Sequence, residues 1–114
     1  MVRAGLIITA TLAIAAYIAR ETLTPSSGGP PTLPFTDKQL HAMAFGLLLL
    51  PTALLAPRAM LVAAPLALIY GGIIEVIQPY VGRTGEWADL LADGVGIAAA
   101  CVLALIVAAL RRKT

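Results

Sequence analysis

Long apolar runs alternate with polar connections along this chain, and the length of the runs decides what solvent it can fold in. Ala4 to Ala19 is sixteen residues without a charge, bounded by Arg3 and Arg20. Gln39 to Pro57 is nineteen more, interrupted by Pro51. A third run extends from Ala59 to about Gln78 with Pro65 inside it, and a fourth from about Ala88 to Leu110. A helix rising about 1.5 Å per residue needs about 20 residues to cross a hydrocarbon core of about 30 Å. The first run is slightly short at about 24 Å, and its flanking arginines can snorkel to cover the difference. Charged residues are 12% of the chain and hydrophobic ones 60%, where a soluble domain carries roughly 25% and about half. The sequence therefore predicts an all-α membrane protein. Four transmembrane helices, at about 3–20, 38–56, 59–78 and 88–110, form an antiparallel bundle, and residues 1–114 make a single transmembrane domain.

The connections carry their own signals. Glu21 to Phe35 holds four prolines and two glycines, which predicts an extended loop over 21–36. A signal peptide cleaved near Ala13-Ile14-Ala15 is the rival reading of the first run, and a retained span is expected. Thr36 followed by Gln39 is a capping box, and Asp37 suits the first turn of a helix. Pro51 and Pro65 predict kinks, which neighbouring helices can accommodate. Pro57-Arg58 reads as a tight turn, and Pro79 ends the third span. In the fourth span Ala92, Gly96, Ala100, Ala104 and Ala108 recur every four residues, a ladder of small side chains on one face. Such a face packs helices closely in lipid. Buried in the bundle it is ordinary packing; exposed to lipid it predicts a partner membrane protein or a homo-oligomer.

Charge placement gives an orientation. One end of the bundle collects Arg3, Arg58, Arg111, Arg112 and Lys113 and no acid; the other collects Arg20, Lys38 and Arg83 with Glu21, Asp37, Glu75, Glu86, Asp89 and Asp93. The rule that basic residues stay inside places both termini in the cytoplasm. The eight basic residues form no single stripe, which argues against a nucleic-acid partner. Cys101 lies in an apolar run and reads as a small buried residue. Tyr80 and Trp87 fit the interfacial aromatic belt.

The second, third and fourth spans bring their ionisable residues to the same end. Asp37, Lys38 and His41 open span two, with Asp37 and His41 four apart on one face. Glu75 and Gln78 close span three, and Gly71, one turn below Glu75, admits another backbone. Glu86, Asp89 and Asp93 open span four, and Arg83 stands in the connection before it. Acids inside a bilayer are expensive, so Glu75 and Asp93 should face each other, a cation or a water-filled pocket. The bland reading is an ion-pair network pinning three helices, in which Lys38 and Arg83 neutralise two carboxylates. Three chemistries also fit. His41 with Asp37, Glu75 and Asp93 has the ligand types for a divalent metal, without a tight metal-binding spacing. A carboxylate beside ionised neighbours can serve as general acid with His41 as base. Lys38 and Arg83 can grip a lipid phosphate while the acids orient its head group. Ser26 and Ser27 are the only serines and lie in the long loop, which argues against serine hydrolysis.

Three blocks of this polar end carry a family resemblance. Asp37-Lys38-Gln39-Leu40-His41-Ala42-Met43-Ala44-Phe45 resembles the Asp-Lys-x-x-His-x-x-x-aromatic start of the VanZ-like family. Tyr70-Gly71-Gly72-Ile73-Ile74-Glu75-Val76-Ile77-Gln78 is similar to its Ile-Glu-x-x-Gln segment. Gly82 to Asp93 is similar to the following Arg-x-x-x-x-x-Asp-x-x-x-Asn/Asp stretch, with Gly96 matching the closing glycine. Asp93 departs from the many relatives that carry Asn there. The resemblance implies a small multi-pass protein of the bacterial inner membrane. The name-giving member is linked to teicoplanin resistance, a property that does not carry over to this chain, and the family pattern leaves the first span unconstrained.

The leading expectation is recognition or modification of an envelope lipid or cell-wall-linked molecule by an acidic pocket at the outer membrane face. Glu75 and Asp89 would be the central carboxylates and His41 a proton shuttle or ligand. Lys38 or Arg83 would anchor an anion, and Asp37, Gln78, Glu86 and Asp93 would complete the binding set. The alternative is a non-catalytic accessory or assembly subunit of a larger membrane complex. An ion-coupled carrier is a weaker third, since the chain has no internal repeat.

Overall fold

The capping box forms as its two residues dictate. The Thr36 hydroxyl accepts the Gln39 backbone N–H at 3.2 Å, and the Gln39 side chain accepts the Thr36 N–H at 3.0 Å. It starts the central helix of a computed structural model that describes residues 2–24, 35–83 and 85–113. Four helices follow one another: α1 (Val2–Leu23), α2 (Asp37–Leu55), α3 (Met60–Ile77) and α4 (Trp87–Arg112). All are long and apolar enough to cross a bilayer, α3 together with its flanking turns, so the chain is a multi-pass membrane protein. Pro57 opens a single 3₁₀ turn, Pro57–Ala59, between α2 and α3, and Pro79 sits in a second, Gln78–Val81, after α3. That second turn ends at Gly82, whose φ of 78° is the left-handed conformation glycine adopts freely. α2 continues through Pro51 and α3 through Pro65. α1 runs to Leu23, so Glu21, Thr22 and Leu23 are helical rather than part of an extended loop. Ser26, Ser27 and the rest of 25–34 lie outside the described residues.

Helix α2 is the centre of the bundle. Phe45, Leu48, Leu49 and Ala53 bury one face of it, against Ile97, Ala100 and Ala104 of α4 and Ala67 and Ile74 of α3. The closest approach is between α2 and α4. A Cβ built on Gly96 would lie 2.1 Å from the Ala42 carbonyl oxygen and 2.9 Å from the Gly46 nitrogen. Only a glycine permits that contact, and it brings the polar starts of both helices together. The small-residue ladder is therefore turned inward. Gly96, Ala100 and Ala104 are buried and Ala92 and Ala108 half-buried, so this face packs the bundle. Leu91, Val95, Val102 and Leu105 face outward instead, as a lipid environment allows.

Helix α1 is peripheral, with Ile18 its one buried residue among those described. It is held through its backbone carbonyls, mostly those at its C-terminal end, where the last carbonyls of a helix lack intrahelical partners. The Tyr70 hydroxyl of α3 donates to the Ala15 carbonyl. Gln78 Nε2 donates to Thr22 O at 3.1 Å, and Arg83 donates to Glu21 O and Thr24 O at 3.0 and 3.1 Å. At the opposite end Arg3 and Arg111 donate to the last carbonyls of α2. There Arg3, Arg58, Arg111 and Arg112 line one basic cleft.

Candidate functional site

The end of the bundle formed by the starts of α2 and α4 and the end of α3 gathers most of the expected polar residues. Lys38 bridges two acids of α4. Its ammonium lies 2.6 Å from Glu86 Oε2 and 2.6 Å from Asp89 Oδ1. Lys38 and Glu86 are partly exposed, whereas Asp89 is buried. Such a pair is tolerated because one partner reaches the interface while the other is desolvated.

His41 lies behind it, 6% exposed, with a carboxylate near each ring nitrogen. Nδ1 is 2.8 Å from Asp93 Oδ1, and Nε2 is 3.6 Å from Asp89 Oδ2. The first is a hydrogen bond; the second is too long to be one. With Asp93 ionised, Nδ1 is the donor of this bond, since a carboxylate only accepts. Asp93 is 1% exposed and presses on α3. A Cβ on Gly71 would meet Asp93 Oδ2 at 2.7 Å and the Phe45 ring at 3.3 Å. Gly71 thus admits a carboxylate, not the backbone that its position suggests.

Glu75 completes the buried set from α3, 5% exposed. Its Oε2 accepts the backbone N–H of Glu86 at 2.8 Å, and its Oε1 has no hydrogen-bond partner. The turn that supplies this N–H is tight, since a Cβ on Gly85 would lie 2.6 Å from the Glu75 carbonyl oxygen. Gln78, one turn on, is buried, with its amide nitrogen on α1 and its oxygen unpartnered. Two sets of ligand-type atoms lie within 4.8 Å of one another: Asp37, His41 and Asp89, and His41, Glu75 and Asp93.

Not every expected residue joins this group. Arg83 turns to the end of α1 rather than to the acids, so Lys38, not Arg83, is the basic residue that meets carboxylates of this group. Asp37 is exposed. Both line a separate feature that the sequence did not announce, a cleft of about 380 Å³ between α1 and α2. It is open on one side: Glu21, Asp37, His41 and Arg83 line its polar end, and Ile14, Tyr17, Leu40, Met43 and Leu47 its apolar part, where Tyr17, Met43 and Leu47 are exposed. Leu47 lies ten residues beyond Asp37, so the cleft extends about 15 Å along α2 from the polar end into the apolar zone. The signal for it is the spacing of Ile14, Tyr17, Ile18 and Glu21, three or four apart on one face of α1. His41 stands between the cleft and the buried carboxylates.

No curated protein and no solved structure matches the chain. The family model described as VanZ/LLP1 matches residues 6–108, from the first helix to the last. The blocks that carry the polar end lie within that match, and the chain belongs to the VanZ/LLP1 family.

Proposed function

We propose that the protein binds an envelope amphiphile, a lipid or lipid-linked cell-wall molecule with an anionic head group, in the cleft between α1 and α2. One observation carries this reading: an open groove runs from a polar end, with Glu21, Asp37, His41 and Arg83, onto apolar surface, as the head and chain of one amphiphile would require. An acyl or prenyl chain would lie against Tyr17, Leu40, Met43 and Leu47. Arg83, fixed by the Glu21 and Thr24 carbonyls at the end of α1, would anchor the anion. Lys38 serves this role less well, because two acids already hold its ammonium. His41, at the mouth and bonded to Asp93, would move a proton to or from the head group. Asp89 and Glu75 would set its electrostatics from behind, with Asp37 and Glu86 at the rim and Gln78 holding α1 in place.

The excess of basic residues at the other end supports an inner-membrane orientation with both termini cytoplasmic. The polar mouth would then open at the outer face. The accessory-subunit reading loses the feature that favoured it, since the small-residue ladder is used inside the bundle.

Native mass spectrometry of protein extracted gently from its own membrane tests the reading. A single co-purifying amphiphile is expected, lost in L47W, which fills the cleft, and weakened in R83A. Retention unchanged in both variants, or a stoichiometric partner polypeptide in place of a lipid, would overturn it.

A further inference from the structure

Three carboxylates are buried at the polar end, and they are unevenly satisfied. Asp89 has the Lys38 ammonium and Asp93 has His41. Glu75 has one backbone N–H, while its Oε1 is enclosed without a partner. Buried charged groups persist when they are paired or when they coordinate a metal. No hydrogen bond joins Glu75 to His41 or to Asp93 among the described residues, so a shared proton does not close this set. Yet one oxygen of Glu75, one nitrogen of His41 and one oxygen of Asp93 lie within 4.8 Å of one another. Ligands at about 2.0–2.2 Å from one ion stand at most about 4.4 Å apart, so these side chains would close by a few tenths of an ångström around it. The three ligands come from three different helices, each held by its own contact. Asp93 rests in the space that Gly71 leaves, Glu75 is fixed by Glu86 N–H, and His41 sits against the closely packed α2–α4 seam.

We propose that His41 Nδ1, Glu75 and Asp93 form a binding site for a divalent metal ion of the zinc class, which accepts mixed imidazole and carboxylate ligands. The other grouping, Asp37 with His41 and Asp89, suits it less, because Asp37 is exposed and Asp89 already accepts from Lys38. The protons balance within the ring. As the metal takes Nδ1, the single ring proton moves from that nitrogen to Nε2 by way of solvent, so the imidazole stays neutral. Nε2 then carries the ring proton and faces Asp89 Oδ2, 3.6 Å away. Asp89 would become the outer carboxylate that orients a metal-bound imidazole once that separation closes to hydrogen-bond range. The site does not depend on the amphiphile reading, and zinc binding is measured without any lipid ligand, so either can fail alone.

His41 is the only histidine of the chain, which makes the test direct. The protein, purified in detergent with a tag that contains no histidine, is labelled with ¹⁵N-histidine and titrated with Zn²⁺ alone. One zinc per chain is expected. The Nδ1 resonance should move to a metal-bound position, and the ring proton should pass from Nδ1 to Nε2. E75Q should weaken zinc binding by more than the about 10–100-fold that outer-shell changes cost. No zinc-dependent change in the wild type, or metal on Nε2, would overturn the proposal without reliance on any variant. Wild-type zinc affinity in a folded E75Q protein would overturn it as well.

Discussion

Replacing Gly96 with alanine adds one methyl group at the point where α2 and α4 are closest. That methyl would sit 2.1 Å from the Ala42 carbonyl oxygen, and ordinary contact begins at 3.4 Å, so the helices must separate there by about 1.3 Å. The neighbours are backbone atoms, which cannot rotate away as a side chain would. Overpacking of this kind costs about 1–3 kcal/mol. The separation also reaches the site. His41 is adjacent to Ala42, and Asp93 is one turn before Gly96, so their 2.8 Å hydrogen bond lengthens beyond the range of a real bond. Losing a hydrogen bond to a charged group adds about 1.5–3 kcal/mol. The two effects overlap, and a combined loss of about 2 kcal/mol or more is expected. Gly94 is the internal control, two residues away on the same helix with nothing within 4 Å of its built Cβ. G94A should change stability by less than about 0.5 kcal/mol. Reversible unfolding by SDS in mixed micelles compares the two variants with the wild type. If G96A matches the wild type, or if G94A is destabilised equally, the close α2–α4 contact is not what holds these helices.

Other consequences follow from the same contacts. G71A should displace the Asp93 carboxylate, whose Oδ2 would lie 2.7 Å from the new methyl; the ¹⁵N shifts of His41 should report loss of its Nδ1 bond, and unchanged shifts would contradict this. K38M should destabilise the protein more than E86Q, because it strips the cation from buried Asp89 as well as from exposed Glu86; SDS unfolding ranks them, and the reverse order would refute the account. In a C101S background, a cysteine at Thr36 should react with a membrane-impermeant maleimide on intact cells and one at Lys113 should not; the opposite pattern inverts the orientation.

The fold was legible where its causes are local. Run length and the Thr36–Gln39 spacing each act within one helix, and the four helices and the capping box follow from them. The polar end was legible as a grouping, because alternating spans bring their termini together whatever the packing. Partner choice was not. Lys38 meets Glu86 and Asp89 across 48 and 51 residues of sequence, and only the rotation of α2 against α4 decides that Lys38, not Arg83, is the neutralising cation. A four-residue period shows that Ala92 to Ala108 share a face, but not which way the face points. The packing around Gly96 and Ala42 decides it. The cleft was hidden for a related reason. It is built from two helices, and α1 carries few polar residues that mark it as part of a site.

Photocrosslinking inside the cleft tests the central claim most directly. A benzophenone amino acid placed at Met43, in the cleft wall, is compared in native membranes with one at Val95, on the exposed surface of α4. The account predicts one predominant amphiphile adduct at Met43 and a mixture matching bulk phospholipid at Val95. The same bulk mixture at both positions would mean that nothing is selected between α1 and α2, and would contradict it.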